Sequence, residues 1–142
     1  MFEYARAYAS ERRAFGQPIS ELEWVRFTLA DMAMEIEAAR LLTYRAAWLA
    51  DRGLVGKEHA GLLATSKAFP TEVAERAASN AVQILGARGY STEHPVERAY
   101  RDAKQLQIVE GTNQVQRLIM ARSILAGDLG FGGWHGVPRP AP

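Results

Sequence analysis

The placement of glycine and proline most constrains what this chain of 142 residues can fold into. Five of the 12 glycines and three of the 6 prolines lie in the last sixteen residues, 127–142. Such a composition cannot sustain a helix, so it predicts a flexible tail that is ordered only if Phe131 and Trp134 dock. The other residues include few that break helices, and no alternating β-branched run bounded by turns. We therefore expect one helical domain over residues 1–126, without strands.

The periodicity of the apolar residues predicts where the helices lie. The second helix opens at a capping box, in which Ser20 caps the amide of Glu23 and the Glu23 side chain reaches back. Gly53 supplies its C-terminal stop. Pro70 falls inside the third helix and is expected to bend it. Apolar residues of the second helix recur at steps of three and four: Val25, Leu29, Met32, Ile36 and Ala39. The predicted helices span residues 2–13, 20–52, 57–85 and 95–105, and a last helix runs from 112 or 113 to 125.

Long helices that are joined by short turns, each with one apolar stripe, pack as antiparallel neighbours. We therefore predict an all-α fold, an up-and-down four-helix-type bundle with one additional short helix and a Gly/Pro-rich C-terminal tail. The alanine-rich third helix predicts close packing between helices. Its residues expected to face inward are Ala60, Leu63, Ala74, Ala77, Ala81 and Ile84.

Composition excludes several classes of protein. The chain has no cysteine, which excludes disulfide frameworks, thiolate metal sites and thiol nucleophiles. With 17 basic and 16 acidic side chains, its formal net charge of +1 is too small to favour nucleic acid or an anionic membrane. No apolar run approaches the roughly 20 residues that a membrane span needs, and the N-terminus is charged where a signal segment would be apolar. We expect a cytoplasmic protein without nucleic-acid or membrane partners.

Few side chains suggest a metal or nucleotide site on pattern alone. No two of His59, His94 and His135 have the spacing of metal ligands, so we predict no metal site. The Gly-Ala-Arg-Gly segment at residues 86–89 follows a helix and not a strand. It is therefore unlike a Rossmann nucleotide motif and typical of a helix C-cap and turn.

Glu110 is the best candidate for chemistry. It lies in a short connector between two predicted helices, follows the apolar pair Ile108 and Val109, and precedes a glycine and a helix N-cap. A carboxylate held among apolar residues is poorly hydrated and becomes a plausible base for a weak carbon acid. The N-terminus of the next helix offers free backbone N–H groups for an anion or a polarised carbonyl. The alternative is that Glu110 simply occupies a favourable helix start.

Six short motifs follow one another in an order that is specific, although none of them is specific alone. They are Arg-Arg-Ala-Phe-Gly-Gln-Pro-Ile at 12–19, Leu-Ala-Asp-Met at 29–32, Gln-Ile-Leu-Gly at 83–86, Gly-Tyr at 89–90, Tyr-Arg-Asp-Ala-Lys at 100–104 and Glu-Gly-Thr at 110–112. Together, from about residue 2 to residue 125, they closely resemble the C-terminal helical, flavin-binding domain of the acyl-CoA dehydrogenases.

The resemblance implies an activity. This family removes one α-proton from an acyl-CoA thioester and passes a hydride from the β-carbon to FAD, which gives the trans-2-enoyl-CoA. The implied electron acceptor is electron-transfer flavoprotein. By resemblance Glu110 is the α-proton base, the backbone amide at this position helps to polarise the thioester carbonyl, and Gly111 contacts the substrate. The flavin supplies the hydride chemistry that no side chain can perform.

The resemblance also implies which residues contact FAD. Arg12 matches an arginine that approaches the pyrophosphate, a task that suits a guanidinium group. Phe15 matches an aromatic residue near the cofactor, although an aromatic residue in a tight turn can also be packed in the core. Gln83 and Gly86 match a turn that meets the adenosine half of FAD from a neighbouring subunit, which implies a homo-oligomer, a dimer or a tetramer. Two positions just after the base also touch FAD: Thr112 and Gln114.

The chain departs from the family pattern at several points. Glu23 stands where many relatives have a glutamine that contacts FAD, and its carboxylate would repel a pyrophosphate unless the capping box holds it away. Ala87 replaces the usual second glycine, and Pro70 interrupts a helix that is commonly free of proline. Relatives also have an N-terminal helical domain and a middle β-domain. We therefore expect the chain to be part of a longer enzyme and to be inactive by itself.

Two other functions fit the sequence. The bundle could be a catalytically silent assembly module that docks on itself or on a related subunit through a face around Trp24, Trp48 and Phe69. It could also belong to an acyl-CoA oxidase-like flavoenzyme, because such enzymes share the fold.

Overall fold

The computed structural model of the chain describes residues 1–127. Five α-helices follow one another in this range: α1 Phe2–Glu11, α2 Glu23–Asp51, α3 Ala60–Leu85, α4 Val96–Leu106 and α5 Asn113–Ala126. Short 3-10 helices precede α2, precede α3 and follow α3, at Ile19–Glu21, Lys57–His59 and Gly86–Tyr90. Apart from Gly127, the predicted tail lies outside the described residues, and so do Phe131 and Trp134.

Helix α3 lies at the centre of the bundle and packs against each of the other four α-helices. Small residues on α3 let its neighbours approach closely: Ala68, Ala77, Ala78 and Ala81 are all buried. At Gly61 there is no room for a side chain, because a Cβ atom there would lie 2.7 Å from the Cβ of Ser123 on α5. The predicted all-α, up-and-down bundle with close packing around an alanine-rich third helix is confirmed.

The core forms where α1, α2, α3 and α4 meet. Met32 of α2, Ala81 of α3 and Val96 of α4 are each almost completely buried in it. The predicted stripe of α2 faces this core: Val25, Met32 and Ala39 are buried, and Leu29 and Ile36 are half-buried. The predicted inward residues of α3 behave similarly: Ala77, Ala81 and Ile84 are buried, and Ala60, Leu63 and Ala74 are half-buried.

A short hairpin separates α1 from α2, where the sequence predicted no strand. Strands β1 Arg13–Ala14 and β2 Gln17–Pro18 pair antiparallel. The turn between them consists of Phe15 and Gly16, with φ of 53° and 81°. Two successive residues with positive φ form the turn that matches the twist of a two-residue hairpin. Strands this short carry no alternation of polar and apolar residues, which is why the sequence pattern does not indicate them.

The predicted capping box at the start of α2 is wrong. Ser20 lies in the 3-10 helix Ile19–Glu21, and α2 begins at Glu23 without a side-chain cap. The chain enters α2 through this tight turn because the Arg26 Nε donates to the Ser20 carbonyl at 3.1 Å and the same guanidinium pairs with Glu21. Glu23 is therefore exposed and does not reach back to the helix start.

Other predicted boundaries are confirmed. Gly53, with φ of 70°, follows the end of α2 at Asp51, and Pro95 immediately precedes α4. Helix α3 continues on both sides of Pro70. Within residues 1–127, no helix combines the length and the apolar character that a bilayer span requires.

Met32→Ala tests the placement of the core. Met32 is 1% exposed, so we expect its truncation to lower the free energy of unfolding by about 2–5 kcal/mol, through lost apolar contacts and the cavity left behind. Leu118→Ala is the control, because Leu118 is 57% exposed on α5, and its effect should stay within about 0.5 kcal/mol. Urea unfolding followed by circular dichroism measures both values. Equal losses in the two variants would contradict a core around Met32.

Candidate functional site

The predicted site residues fall into two groups beside different ends of α3. The first group lies where α1, the hairpin and the C-terminal end of α3 meet: Arg12, Phe15, Gln83 and Gly86. The second group lies in the connector between α4 and α5 and at the start of α5: Glu110, Gly111, Thr112 and Gln114. Lys67 of α3 contacts the second group. Lys67 and Gly86 are about 28 Å apart along the helix, at about 1.5 Å per residue. One chain therefore does not bring all predicted residues into one pocket.

Arg12 and Gly86 line one cavity of about 420 Å³. Tyr8 from α1 and Arg88 from the 3-10 helix after α3 line it as well. A second cavity, of about 370 Å³, shares Tyr8, Arg12 and Arg88 with the first. The remaining lining residues of the second cavity are Glu11 and Arg13. The two cavities together form one concave surface that carries basic residues.

The guanidinium groups of Arg12 and Arg88 form no ion pair and no side-chain hydrogen bond with residues 1–127. Six other arginines each pair with a glutamate: Arg6, Arg26, Arg40, Arg76, Arg101 and Arg117. Two unpaired guanidinium groups on one concave surface, with Glu11 as the carboxylate at its edge, suit an anionic group such as a phosphate.

Phe15 lies at the tip of the hairpin, and its side chain is 91% exposed. The alternative that it packs in the core is therefore wrong. Within residues 1–127, the residues other than glycine that have a positive φ are Phe15 and Glu110, both of them predicted site residues. The hairpin turn requires the positive φ of Phe15, whereas Glu110 lies in no hairpin, and strained residues of this kind cluster at functional sites.

Glu110 has φ of 54° and is followed by Gly111, with φ of 82°. The expectation that apolar neighbours enclose its carboxylate is wrong within this chain, because the connector lies on the surface of the bundle. Ile108 is 58% exposed, Val109 is 37% exposed, and Glu110 itself is exposed. The connector therefore presents a carboxylate next to uncovered apolar side chains.

The start of α5 matches the prediction. Thr112 is the N-cap, and its Oγ1 accepts a hydrogen bond from the N–H of Val115 at 3.3 Å. Gln114 is exposed in the first turn of the helix. The backbone N–H groups of Glu110 and Gly111 have no acceptor within residues 1–127. These two donors are therefore free to bind a ligand.

Asn113 fixes the connector to α3. It is 3% exposed, and its Nδ2 donates to the Ala68 carbonyl at 3.2 Å and to the Thr71 Oγ1 at 2.9 Å. Its Oδ1 accepts from the Lys67 Nζ at 2.8 Å. Lys67 also donates to the Gly111 carbonyl at 2.9 Å, so a single ammonium group joins α3, the connector and α5.

The connector combines an exposed carboxylate with two free backbone donors on a fixed backbone. The Gln116 Nε2 donates to the Glu110 carbonyl at 3.3 Å, which holds the connector from the side of α5. A carboxylate can accept a proton from a carbon acid, while nearby N–H groups polarise the carbonyl of that acid. Within residues 1–127, no three acidic or histidine side chains lie close enough to hold a metal ion. His94, for example, is hydrogen-bonded to the Tyr4 hydroxyl at 2.7 Å.

Comparison with known families shows which family the chain belongs to. Residues 1–125 match the family described as acyl-CoA dehydrogenase, C-terminal domain. The chain belongs to the acyl-CoA dehydrogenase family.

Relatives of this acyl-CoA dehydrogenase domain are longer proteins. The chain is 50% identical over 122 residues to the probable acyl-CoA dehydrogenase FadE25 of Mycobacterium tuberculosis. This match covers 85% of the chain and 31% of the relative. It is 42% identical to butyryl-CoA dehydrogenase from Megasphaera elsdenii, with a TM-score of 0.83, over 87% of this chain and 32% of that chain. It is 44% identical, again with a TM-score of 0.83, to a chain in a structure described as the electron transferring flavoprotein of Acidaminococcus fermentans, over 87% and 32% of the two chains. The chain therefore spans about a third of the length of these proteins.

The acyl-CoA dehydrogenase motifs do not include every residue that lines or contacts the two groups of predicted site residues. Arg88 lies in the segment 86–89, which the sequence pattern identifies only as a helix C-cap and turn. A basic residue between two glycines, in the segment that follows α3, is the signal that could have found it. Lys67 gives no such signal, because its role depends on how closely α5 packs against α3.

Asn113→Ala tests how this acyl-CoA dehydrogenase domain holds its connector. We expect the free energy of unfolding to fall by about 1–3 kcal/mol, because the Ala68 carbonyl and Lys67 lose a buried partner. Amide hydrogen exchange in residues 107–112 should become faster. Gln114→Ala changes the exposed neighbouring residue, and its effect should stay within about 0.5 kcal/mol. Unchanged exchange in the connector of Asn113→Ala would contradict the anchoring role.

Proposed function

We propose that the chain is the C-terminal domain of an FAD-dependent acyl-CoA dehydrogenase, which oxidises an acyl-CoA thioester to the trans-2-enoyl-CoA. The observation that carries the proposal is the geometry at Glu110. An exposed carboxylate sits on left-handed backbone, with free N–H groups beside it. Left-handed backbone at a residue with a side chain costs roughly 1–2 kcal/mol, so its presence points to a function that needs this position.

Glu110 is the base in this proposal. Its carboxylate accepts the α-proton of the thioester, and the N–H groups of Glu110 and Gly111 donate to the thioester oxygen, where negative charge develops. Lys67 holds the Gly111 carbonyl and so keeps these donors in position. An acyl chain laid against the exposed Ile108 and Val109 would exclude water from the carboxylate, which makes it a stronger base.

The first group of residues suits FAD. When bound, FAD supplies the acceptor for the hydride that leaves the β-carbon. In the proposal Arg12 and Arg88 hold the pyrophosphate, since both guanidinium groups line one concave surface and lack carboxylate partners. Gln83 and Gly86 stand next to this surface and meet the adenosine half. Three more residues are proposed to touch the cofactor: Phe15, Thr112 and Gln114.

The separation of the two groups supports a site that is shared between chains. Arg12 and Gly86 lie beside one end of α3, whereas Glu110 lies beside the other half. We infer a homo-oligomer, a dimer or a tetramer, in which the first group of one copy faces the second group of another. The proposed electron acceptor is an electron-transfer flavoprotein. The similarity to a chain in the structure described as the flavoprotein of Acidaminococcus fermentans supports this assignment.

A second candidate function, as an assembly module, is favoured by exposed aromatic residues on α2. Trp24 and Trp48 are each 52% exposed and available to a partner, whereas Phe69 on α3 is half-buried. The two functions do not exclude each other, because the tryptophans lie on an element that contributes no residue to either group.

Titration of FAD into the chain of 142 residues tests the cofactor proposal. We expect weak binding, and we expect Arg12→Ala and Arg88→Ala each to raise Kd about tenfold, because each removes a charge-assisted contact of about 1.5 kcal/mol. Arg98→Ala is the control, since Arg98 is an exposed arginine on α4 that lines neither cavity. Isothermal titration calorimetry measures all four proteins. Weaker FAD binding in Arg12→Ala alone would exclude Arg88 from the site. Unchanged FAD binding in both variants would refute the pyrophosphate assignment.

A domain exchange tests Glu110 as the base. The lone chain with FAD, an acyl-CoA and an electron-accepting dye should give no turnover, because it holds only the base and one side of the cofactor site. We then replace the matching third of the Megasphaera elsdenii butyryl-CoA dehydrogenase with residues 1–125 of this chain. In that chimera, Glu110→Gln should lower kcat about 10²–10⁴-fold, since an amide cannot accept the α-proton.

The chimera offers a matched control. Glu93→Gln removes an exposed carboxylate that precedes α4 and belongs to neither group, so it should leave kcat unchanged. The flavin absorbance of each purified variant shows whether FAD is retained. Full activity of Glu110→Gln with FAD bound would refute the base assignment, and turnover by the lone chain would refute the need for further domains.

A further inference from the structure

The backbone of the connector between α4 and α5 leaves a row of N–H groups without acceptors. The Asn113 N–H donates to the Gln107 carbonyl at 2.9 Å, which closes the connector into a loop. Inside this loop, the N–H groups of residues 110–112 have no acceptor within residues 1–127. Backbone N–H groups that are buried in a fold are nearly always paired, so an unpaired row belongs on an accessible surface.

The carbonyl groups of the same loop are bonded, and Gln116 contacts two of them. Its Nε2 donates to the Glu110 carbonyl at 3.3 Å and to the Gly111 carbonyl at 3.4 Å. A Cβ atom at Gly111 would lie 3.0 Å from the same nitrogen, so the Gln116 amide lies directly against the glycine. From the side of α3, the Lys67 Nζ donates to the Gly111 carbonyl at 2.9 Å. Both carbonyls are therefore held toward the bundle.

The direction of a carbonyl determines the direction of the N–H group on the same peptide. Residues 1–127 contain no cis peptide bond, and the C=O and N–H groups of a planar trans peptide point in opposite directions. The Glu110 carbonyl and the Gly111 N–H belong to one peptide. Because Gln116 holds that carbonyl against α5, the Gly111 N–H points away from the bundle.

Gly111 makes a contact of this kind necessary. Glycine adopts positive and negative φ about equally well, so the backbone alone does not fix the peptide that precedes Gly111. The observed φ of 82° thus depends on groups outside the connector. The Gln116 amide also has an electronic effect. A hydrogen bond to a carbonyl polarises the whole peptide, and this makes its N–H a stronger donor.

We propose that Gln116 is a positioning residue for the oxidation of the thioester: by holding the Glu110 carbonyl, it directs the Gly111 N–H at the thioester oxygen. The proposal rests on the proposed function, in which the Glu110 carboxylate accepts the α-proton. The electron pair of the broken C–H bond then moves toward the thioester oxygen, and the negative charge there is what the N–H stabilises. Gln116 itself touches neither the proton nor the substrate.

Gln116→Met in the chimera with the Megasphaera elsdenii butyryl-CoA dehydrogenase tests this role. Methionine has a similar length but no donor. We expect kcat to fall about tenfold or more and KM to change less than about twofold, because the N–H contact strengthens only as charge develops on the oxygen. Gln116→Lys keeps a donor within reach of the carbonyls and should retain kcat within about threefold.

The chain offers a matched control for the loss of a glutamine amide. Gln105 is exposed on α4, and its side chain forms no hydrogen bond within residues 1–127. Gln105→Met should therefore leave kcat and KM unchanged. The flavin absorbance of each purified chimera shows whether FAD is retained.

Residual dipolar couplings of the isotope-labelled chain of 142 residues measure the direction of each N–H group without any activity. We expect the coupling of the Gly111 N–H to agree with the structure in the unaltered chain. In Gln116→Met it should fall toward an averaged value, because the Glu110–Gly111 peptide is released, while the couplings of α3 stay the same. Gln105→Met should change none of them.

Three results would overturn the proposal. An unchanged kcat in Gln116→Met would show that the reaction does not need the amide. An unchanged Gly111 coupling in that variant would show that another group orients the peptide. A loss of kcat in Gln116→Lys as large as in Gln116→Met would show that the shape of the side chain matters and its hydrogen bond does not.

Glu110→Gln separates these results from a failure of the proposed function. Full activity of that chimera would refute Glu110 as the base, and with it the reaction on which the role of Gln116 rests. An inactive Glu110→Gln beside a fully active Gln116→Met would refute the role of Gln116 alone.

Discussion

The close packing of the other four helices against α3 determines where everything else in the molecule lies. It depends on small side chains, because Gly61 leaves no space for a Cβ atom against Ser123, and Ala77 and Ala81 are buried under their neighbours. Helices that approach so closely bring polar groups of different elements within hydrogen-bond reach. Lys67 of α3 reaches the connector only because α5 lies directly against α3. The position of the proposed base is thus a consequence of core packing.

The connector stores backbone strain that the network around Asn113 offsets. Glu110 and Gly111 both adopt left-handed backbone, which for Glu110 is unfavourable by roughly 1–2 kcal/mol. Asn113 forms half-buried hydrogen bonds to Lys67 and Thr71, each worth about 1 kcal/mol, and Lys67 forms an exposed one to the Gly111 carbonyl. The hydrogen bonds that anchor α5 therefore act against the backbone strain at Glu110.

Sequence patterns predicted the parts of the fold that depend on residues close together in the chain. The five helices, the N-cap at Thr112 and the buried face of α2 are of this kind, since each needs only periodicity or a local hydrogen bond. The capping box at Ser20 failed because a contact from Arg26 stabilises a different turn. The exposure of Glu110 and the position of Arg88 beside Arg12 could not be predicted either. Both depend on which elements meet in space, and apolar neighbours in sequence do not guarantee apolar surroundings.

Helix α2 also has a feature that sequence patterns could not predict. Its core-facing residues are apparent from their spacing, but a second apolar row on the opposite face, from Phe27 to Trp48, is recognised only when the exposure of each residue is known. A helix that is apolar on two opposite faces is expected between two layers of protein and not at a free surface. The bundle provides one of these layers. The proposed base and the proposed anion-binding surface lie beside different halves of α3, so the second apolar face of α2 agrees with the homo-oligomer proposed above.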